Sequence, residues 1–259
     1  MAKNKKAKAR KYPMHPEYRE LWNAAGYGTK MGSSEVVQPP PRKFIRVYHL
    51  TSAQYAISDI ALGRLKIARF SDLNDPYELL SLNSRKKSIR NLGKKFKEQF
   101  DHENGLLCFS GDWTSPALWS HYGSRLTGIC LGFNLLREHC RPVKYETERI
   151  LADLADKEPS GLTPRTRERL MCTKHQHWEY ERENRIFIPL GSTTKGGRHH
   201  FYPFNSSLAL AEVILGPECV LTLKAIQDLV NSNYDNVVTF GSRLAWGSFN
   251  VVPKESTVP

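Results

Sequence analysis

The sequence predicts an α+β fold. Three observations carry that expectation. Short strand-like runs outnumber helix-like ones. The two kinds do not alternate as regular strand–helix–strand units. Residues 84–100 repeat apolar side chains at three- and four-residue steps, as an amphipathic helix does. With 259 residues, 40% hydrophobic and 25% charged, the chain is long enough for a substantial core. No run reaches the eighteen or so apolar residues that span a bilayer. The basic N-terminus lacks the apolar stretch of a secretory signal, so a soluble cytoplasmic protein without a membrane partner is expected.

Residues 1–42 read as a basic, disordered tail and a Pro-rich linker ending at Pro39-Pro40-Pro41, with 43–259 as a single α+β domain. Lys3, Lys5, Lys6, Lys8, Arg10 and Lys11 supply half of the net charge of +12, with no acid among residues 1–11. Such a tail attracts nucleic acid or a ribosome nonspecifically, or serves only as a solubilising extension. Pro13 to Trp22 can form a short docked helix. Phe44–Leu50 reads as a strand, and 53–62 as a helix stopped by Gly63. Leu65–Phe70 is a second strand. Asn74-Asp75-Pro76 is a turn, where Asp75 and Glu78 can cap a helix opening at Pro76. In 84–100 the stripe is Ile89, Leu92, Phe96 and Phe100. Its other faces carry Arg85, Lys86, Lys87, Arg90, Lys94, Lys95 and Lys97, either a solvated surface or an anion- or RNA-binding one.

Leu106–Ser110 is a buried strand candidate, and Ser115–Tyr122 a short helix opened by Ser115-Pro116. Thr127–Phe133 and Val143–Tyr145 read as strands, and 147–177 as mainly helical and polar. Asn184–Pro189, Ala211–Leu215, Asn236–Phe240 and Phe249–Val252 are further strands, with a helix over Val220–Val230. Five scattered cysteines with no C-x-x-C spacing suggest free thiols. Cys172, His175 and His177 have the spacing of a metal half-site but no convincing fourth ligand. There is no P-loop, no dinucleotide-binding glycine fingerprint and no G-x-S-x-G elbow.

The densest chemistry lies in Trp178-Glu179-Tyr180-Glu181-Arg182-Glu183-Asn184-Arg185, three alternating carboxylates between aromatics at the start of an apolar strand. In one strand Glu181, Glu183 and Arg185 would share a face. Two close carboxylates can stabilise a developing cation or hold a hydroxyl, and surface charge is the plainer alternative. His49 ends an apolar strand, where it serves a cleft edge or packs as a satisfied histidine. Trp119 and Tyr122 share a helical face, able to stack on a planar ring or to fill a core.

In order along residues 44–217, these pieces resemble a family of uncharacterised bacterial proteins. The shared pieces are Tyr48-His49, Asn74-Asp75-Pro76-Tyr77-Glu78, Trp119-Ser120-His121-Tyr122, Trp178 to Arg185, and Val213-Ile214-Leu215-Gly216. That family in turn is similar to the ADP-ribosyltransferase fold. The resemblance implies a core of two packed, mostly antiparallel sheets with peripheral helices, and NAD as substrate. It implies Glu183 as catalytic carboxylate, Glu181 as its assistant toward the acceptor, and His49 on the adenosine-side ribose. Tyr48, Thr51 and Ser110 would line the NAD site, Trp119 or Tyr122 would stack on nicotinamide, and Arg185 or Arg46 would hold the pyrophosphate, with no metal. Leu50 stands where that fold usually has glycine. The expected setting is a toxin or phage-defence effector, with an antitoxin as a further partner. It would modify RNA, DNA or a ribosome-associated protein reached through the tail and the 84–97 face. Two other readings stay open: a metal-dependent nuclease using Asp75, Glu78, Glu181 and Glu183 around Mg²⁺, and a noncatalytic nucleic-acid-binding protein.

Overall fold

The computed structural model describes residues 39–78, 87–149 and 159–254. The basic tail, the Pro13–Trp22 segment, residues 84–86 of the basic face and part of the 147–177 stretch lie outside the described residues. The described elements, in chain order, are β1 (Phe44–Thr51), α1 (Ala53–Leu62), β2 (Arg64–Lys66), α2 (Lys87–Glu103), β3 (Asn104–Ser110), α3 (Pro116–His121), β4 (Ile129–Leu136), β5 (Arg141–Pro142) and β6 (Lys144–Glu146). They continue with α4 (Pro164–Met171), β7 (Thr173–His175), β8 (Glu183–Pro189), β9 (Thr194–Gly196), β10 (His199–Pro203), β11 (Leu208–Leu215), α5 (Leu223–Asn233), β12 (Val238–Leu244) and β13 (Val251–Pro253). Helices and strands are mixed without regular alternation, so the chain is α+β. No helix among the described residues is long and apolar enough to cross a membrane. The five cysteines are free thiols.

Contacts divide the chain into two compact units. The first takes the chain up to Arg64, Trp113–Arg137 and Pro203 onward. Its strands run in the order β13–β12–β11–β4–β1. Pairing is antiparallel except between β11 and β12. All of β4 but its last residue is buried, as its unbroken sequence Ile-Cys-Leu-Gly-Phe-Asn-Leu requires of a central strand. Ser52 caps α1 by accepting the Tyr55 N–H, and Gly63 ends it with φ 61°, a left-handed turn that favours glycine. Tyr234, after α5, donates its hydroxyl to the Ile60 carbonyl at 2.6 Å, tying α5 to α1. Trp119 on α3 is fully buried, with its indole N–H given to the Trp113 carbonyl at 2.7 Å. A Cβ at Gly216 would strike that indole ring and the Leu126 carbonyl. Close approach therefore explains the glycine that ends Val213-Ile214-Leu215-Gly216.

The second unit takes Leu65–Asp112 and Glu138–Tyr202. Here β3 and β8 pair antiparallel from Asn104↔Pro189 to Ser110↔Glu183, and β5 adds to β8. Small sheets β2–β10–β9 and β6–β7 flank them in sequence. The core gathers Phe70, Ile89, Leu92, Phe96, Leu106, Leu162 and Leu170. The expected stripe of α2 supplies three of these, and Phe100 packs edge-on against Phe70 at 5.0 Å.

Three local expectations are corrected. The strand foreseen over Leu65–Phe70 stops at Lys66, because Phe70 opens a 3₁₀ turn. The Asp101 carboxylate caps that turn, accepting from the Phe70 and Ser71 amides at 2.7 and 3.0 Å. Of the helix foreseen over 147–177, the described part holds only α4. Thr173–His175 pairs instead with Lys144–Glu146 as parallel strands. Glu179 and Glu181 lie in a 3₁₀ turn, Gln176–Glu181, and not in a strand. The β9–β10 hairpin, turned at Gly197 with φ 60°, was not foreseen.

Candidate functional site

Glu183 is the first residue of β8, and the strand's pleat puts its side chain on the same face as that of Arg185. Arg185 is fully buried and uses all five of its guanidinium N–H groups. Nε and Nη2 donate to the two Glu183 oxygens at 2.7 and 3.0 Å. Nη1 and Nη2 donate to the two Glu78 oxygens at 3.1 and 2.5 Å, and Nη1 also reaches the Met171 carbonyl at 2.5 Å. Two fork-to-fork pairs thus lock one guanidinium between carboxylates that lie 107 positions apart in sequence from it in one case and two in the other.

Lys174, in the middle of β7, completes the cluster. Its Nζ stands 2.7 Å from a Glu181 oxygen, 2.7 Å from a Glu183 oxygen and 3.4 Å from Glu78. The Trp178 ring centroid is 5.4 Å away. Glu181 reaches Lys174 because Arg182 adopts φ 44°, a left-handed kink that re-aims the chain between the 3₁₀ turn and β8. Tyr145 adds a further contact, its hydroxyl oxygen accepting the Glu183 backbone N–H at 2.7 Å.

Three carboxylates face two cations in a region closed to water, so the electrostatics are strong. Burial alone would push Glu183 up. The adjacent Arg185 and Lys174 charges, with their hydrogen bonds, outweigh that and hold it at about 2. Burial raises Glu78, with Arg185 and Lys174 acting against it. Burial opposes the Lys174 charge, but Glu183, Glu78 and Glu181 together raise its pKa. Burial raises Tyr145 to about 12, and burial with the Glu183 charge pushes the Cys108 thiol well up. At neutral pH Glu183 is an anion flanked by two cations.

Lys174 also lines a cleft of about 660 Å³. Tyr77, Trp178 and Tyr180 give it aromatic walls, and Asp75, Glu146, Arg149, His175 and His177 give it polar ones. Arg149 lies over the Tyr77 ring at 4.8 Å. Asp75 is buried and accepts the Tyr77 N–H at 2.9 Å, so it shapes the turn; the helix it was expected to cap would fall on residues outside the described ones. His175 packs against His177 with ring centroids 4.2 Å apart. Among the described residues no group of three or more His, Cys, Asp and Glu is placed to hold a metal ion.

The cluster therefore unites Glu181, Glu183 and Arg185 of the expected site residues. Ser110, opposite Glu183 across the β3–β8 ladder, is buried and accepts the Asp112 N–H at 3.0 Å. Tyr48, His49 and Thr51 stand half-buried on β1 of the first unit, and Tyr122 half-buried just after α3. Arg46 is held there by Glu212 and by the Asn134 side chain. Sequence reasoning missed Lys174 and Tyr145, and gave Glu78 a capping role or, in the nuclease reading, a place around Mg²⁺. The signal available for Glu78 was its place in Asn74-Asp75-Pro76-Tyr77-Glu78. In space that motif meets the one ending at Arg185.

Comparison with protein-family models, with curated proteins and with solved structures finds no match to this chain.

Proposed function

We propose that the protein transfers ADP-ribose from NAD on a core of the ADP-ribosyltransferase type, with Glu183 as catalytic carboxylate. The observation that carries this reading is a Glu183 kept ionised and fixed by Arg185 and Lys174, the latter also lining the aromatic-walled cleft. When the nicotinamide–ribose bond breaks, its electron pair leaves with nicotinamide and positive charge builds on the ribose. An immobile anion hydrogen-bonded to a ribose hydroxyl stabilises that charge without reorganising. Glu181 then orients the acceptor, whose proton departs as the new bond to the ribose carbon forms. By the resemblance, His49, Tyr48, Thr51 and Ser110 are the residues proposed to bind NAD. With its five donors committed, Arg185 acts as a positioning residue, and Arg149, which lines the cleft, is proposed to meet the pyrophosphate. Trp119 has no exposed face, which leaves Tyr122 for stacking on nicotinamide. The setting remains that of a cytoplasmic toxin or phage-defence effector, with nucleic acid or a translation-related protein as acceptor.

Of the Asp75, Glu78, Glu181 and Glu183 that the nuclease reading would gather around Mg²⁺, the last three lie in the cluster. The same carboxylates converge here on Lys174 and Arg185, two fixed cations in the place that reading gives to the metal. This favours the transferase. The test is nicotinamide release from NAD by the purified chain, followed with and without EDTA. Release should persist in EDTA and fall by about 10²-fold or more in Glu183→Gln, with the melting temperature recorded to separate chemistry from unfolding. No release by the wild type, or undiminished release by a folded Glu183→Gln, sinks the reading. Nucleic-acid cleavage abolished by EDTA would replace it with the nuclease.

A further inference from the structure

Strands β12 and β13 form an antiparallel pair, Ser242↔Pro253 to Leu244↔Val251, joined by a tip over residues 245–250. Ser242 and Val251 are buried and hold one face of the pair against its unit. The tip exposes two aromatic rings three positions apart, Trp246 at 92% and Phe249 at 98%. Tryptophan and phenylalanine bury large areas when they can, so two nearly bare rings on one short turn mark a contact surface. The cations are placed beside them. Arg243 lies over the Trp246 ring at 5.9 Å. Lys254 donates its backbone N–H to the Gly241 carbonyl at 2.8 Å, which sets it two residues from Arg243, about 7 Å away along the pair. From Asn236 to Lys254 the sequence contains no acid.

Aromatic faces next to positive charge complement a ligand that carries flat rings on an anionic backbone. We infer that the β12–β13 tip binds single-stranded nucleic acid, with bases stacking on Trp246 and Phe249 and phosphates meeting Arg243 and Lys254. Unpaired bases are required because a duplex hides the faces of its bases. An anionic bilayer fits less well. Ser248 and Asn250, hydrogen-bonded to each other at 3.3 Å, sit between and beside the rings, and inserting Trp246 would draw the Arg243 guanidinium into hydrocarbon. Stacking needs only the face of the indole that Arg243 leaves open. The surface serves binding whether or not the chain transfers ADP-ribose.

The test uses the full chain and a labelled 20-nucleotide oligo-dT or oligo-U, with affinity read by fluorescence anisotropy across a salt series. The basic tail is common to all variants, so differences report the tip. Trp246→Ala/Phe249→Ala should weaken binding about tenfold or more, while Trp246→Phe keeps most of it. Arg243→Gln/Lys254→Gln should flatten the slope of log affinity against log salt by about 1.4. Single-strand affinity unchanged in the double alanine variant overturns the proposal. So does an equal loss for single strand and blunt duplex. So does a Trp246-dependent blue shift on phosphatidylserine vesicles without oligonucleotide binding.

Discussion

Each unit buries charge, and the two do so differently. In the first, Arg46 meets one carboxylate, Glu212, and its Nε is satisfied by Asn134 at 2.8 Å. Glycine at 132 makes room, since a Cβ there would crowd Glu212 at 2.9 Å and Tyr48 at 3.2 Å. Among the described residues the pair sets one charge against one. In the second, three carboxylates share two cations, and one cation, Lys174, reaches a cleft. A balanced buried pair can be exchanged for apolar side chains with little effect, since its attraction mostly offsets its desolvation. A cluster with more carboxylates than cations among the described residues is unbalanced. It persists where that residual charge does something, and perturbed groups of this kind gather at functional sites.

The sharpest way to break this contrast is Arg185→Ala, which leaves Glu78 and Glu183 with Lys174 as their one shared cation among the described residues. It should cost about 3–5 kcal/mol in urea-monitored unfolding, and a loss below about 1 kcal/mol would mean that the cluster does not anchor its unit. Lys174→Met should come next, at about 3 kcal/mol near neutral pH. The deficit should shrink on acidification, because protonating the carboxylates removes negative charge that Lys174 would have offset. A deficit constant from pH 7 to pH 4 would contradict the imbalance.

Glu183 supplies a pH signature. Its carboxyl is held down at about 2 against an ordinary 4.5. Its stabilisation is therefore complete above the unfolded value and is lost as pH falls toward 2, roughly 3 kcal/mol in all. Glu78, raised by burial, works the other way. The informative quantity is the difference between wild type and Glu183→Gln, whose stability should vary less with pH over that range. Parallel curves would refute the assignment. The smallest effect belongs to the first unit: Arg46→Met/Glu212→Leu should stay within about 1 kcal/mol of wild type, against a clear loss for Arg46→Met alone. If the double variant is as damaged as the single one, the pair is more than balanced packing.

Much of the framework was legible where one signal dominated. Gly63 ended α1 as expected, and the Ile89, Leu92 and Phe96 stripe found its core, because periodicity and glycine conformation act locally. The site was legible in its acids and in Arg185, and not in Lys174. Lys174 lies in a three-residue strand whose parallel pairing with β6 is too short to show alternation, inside a stretch polar enough to read as helix. Arg182 takes a left-handed φ without being glycine, so nothing local announces the kink that turns Glu181 toward Lys174. The stop of β2 depended on Asp101, some thirty positions away. What failed to show in sequence was decided by distant partners.

The bond between Glu78 and Arg185 has a consequence in time. Those residues are 107 positions apart, so their loop must close before the pairing forms. Stripping water from the groups of this cluster offers nothing to a half-assembled chain, and the cluster should be absent from the folding transition state. Interactions that form after the barrier set the escape rate and barely touch the rate of arrival. In stopped-flow kinetics, Glu78→Gln should accelerate unfolding and leave refolding nearly as it was. The charged centre would then govern how long each folded molecule lasts, more than how quickly it forms.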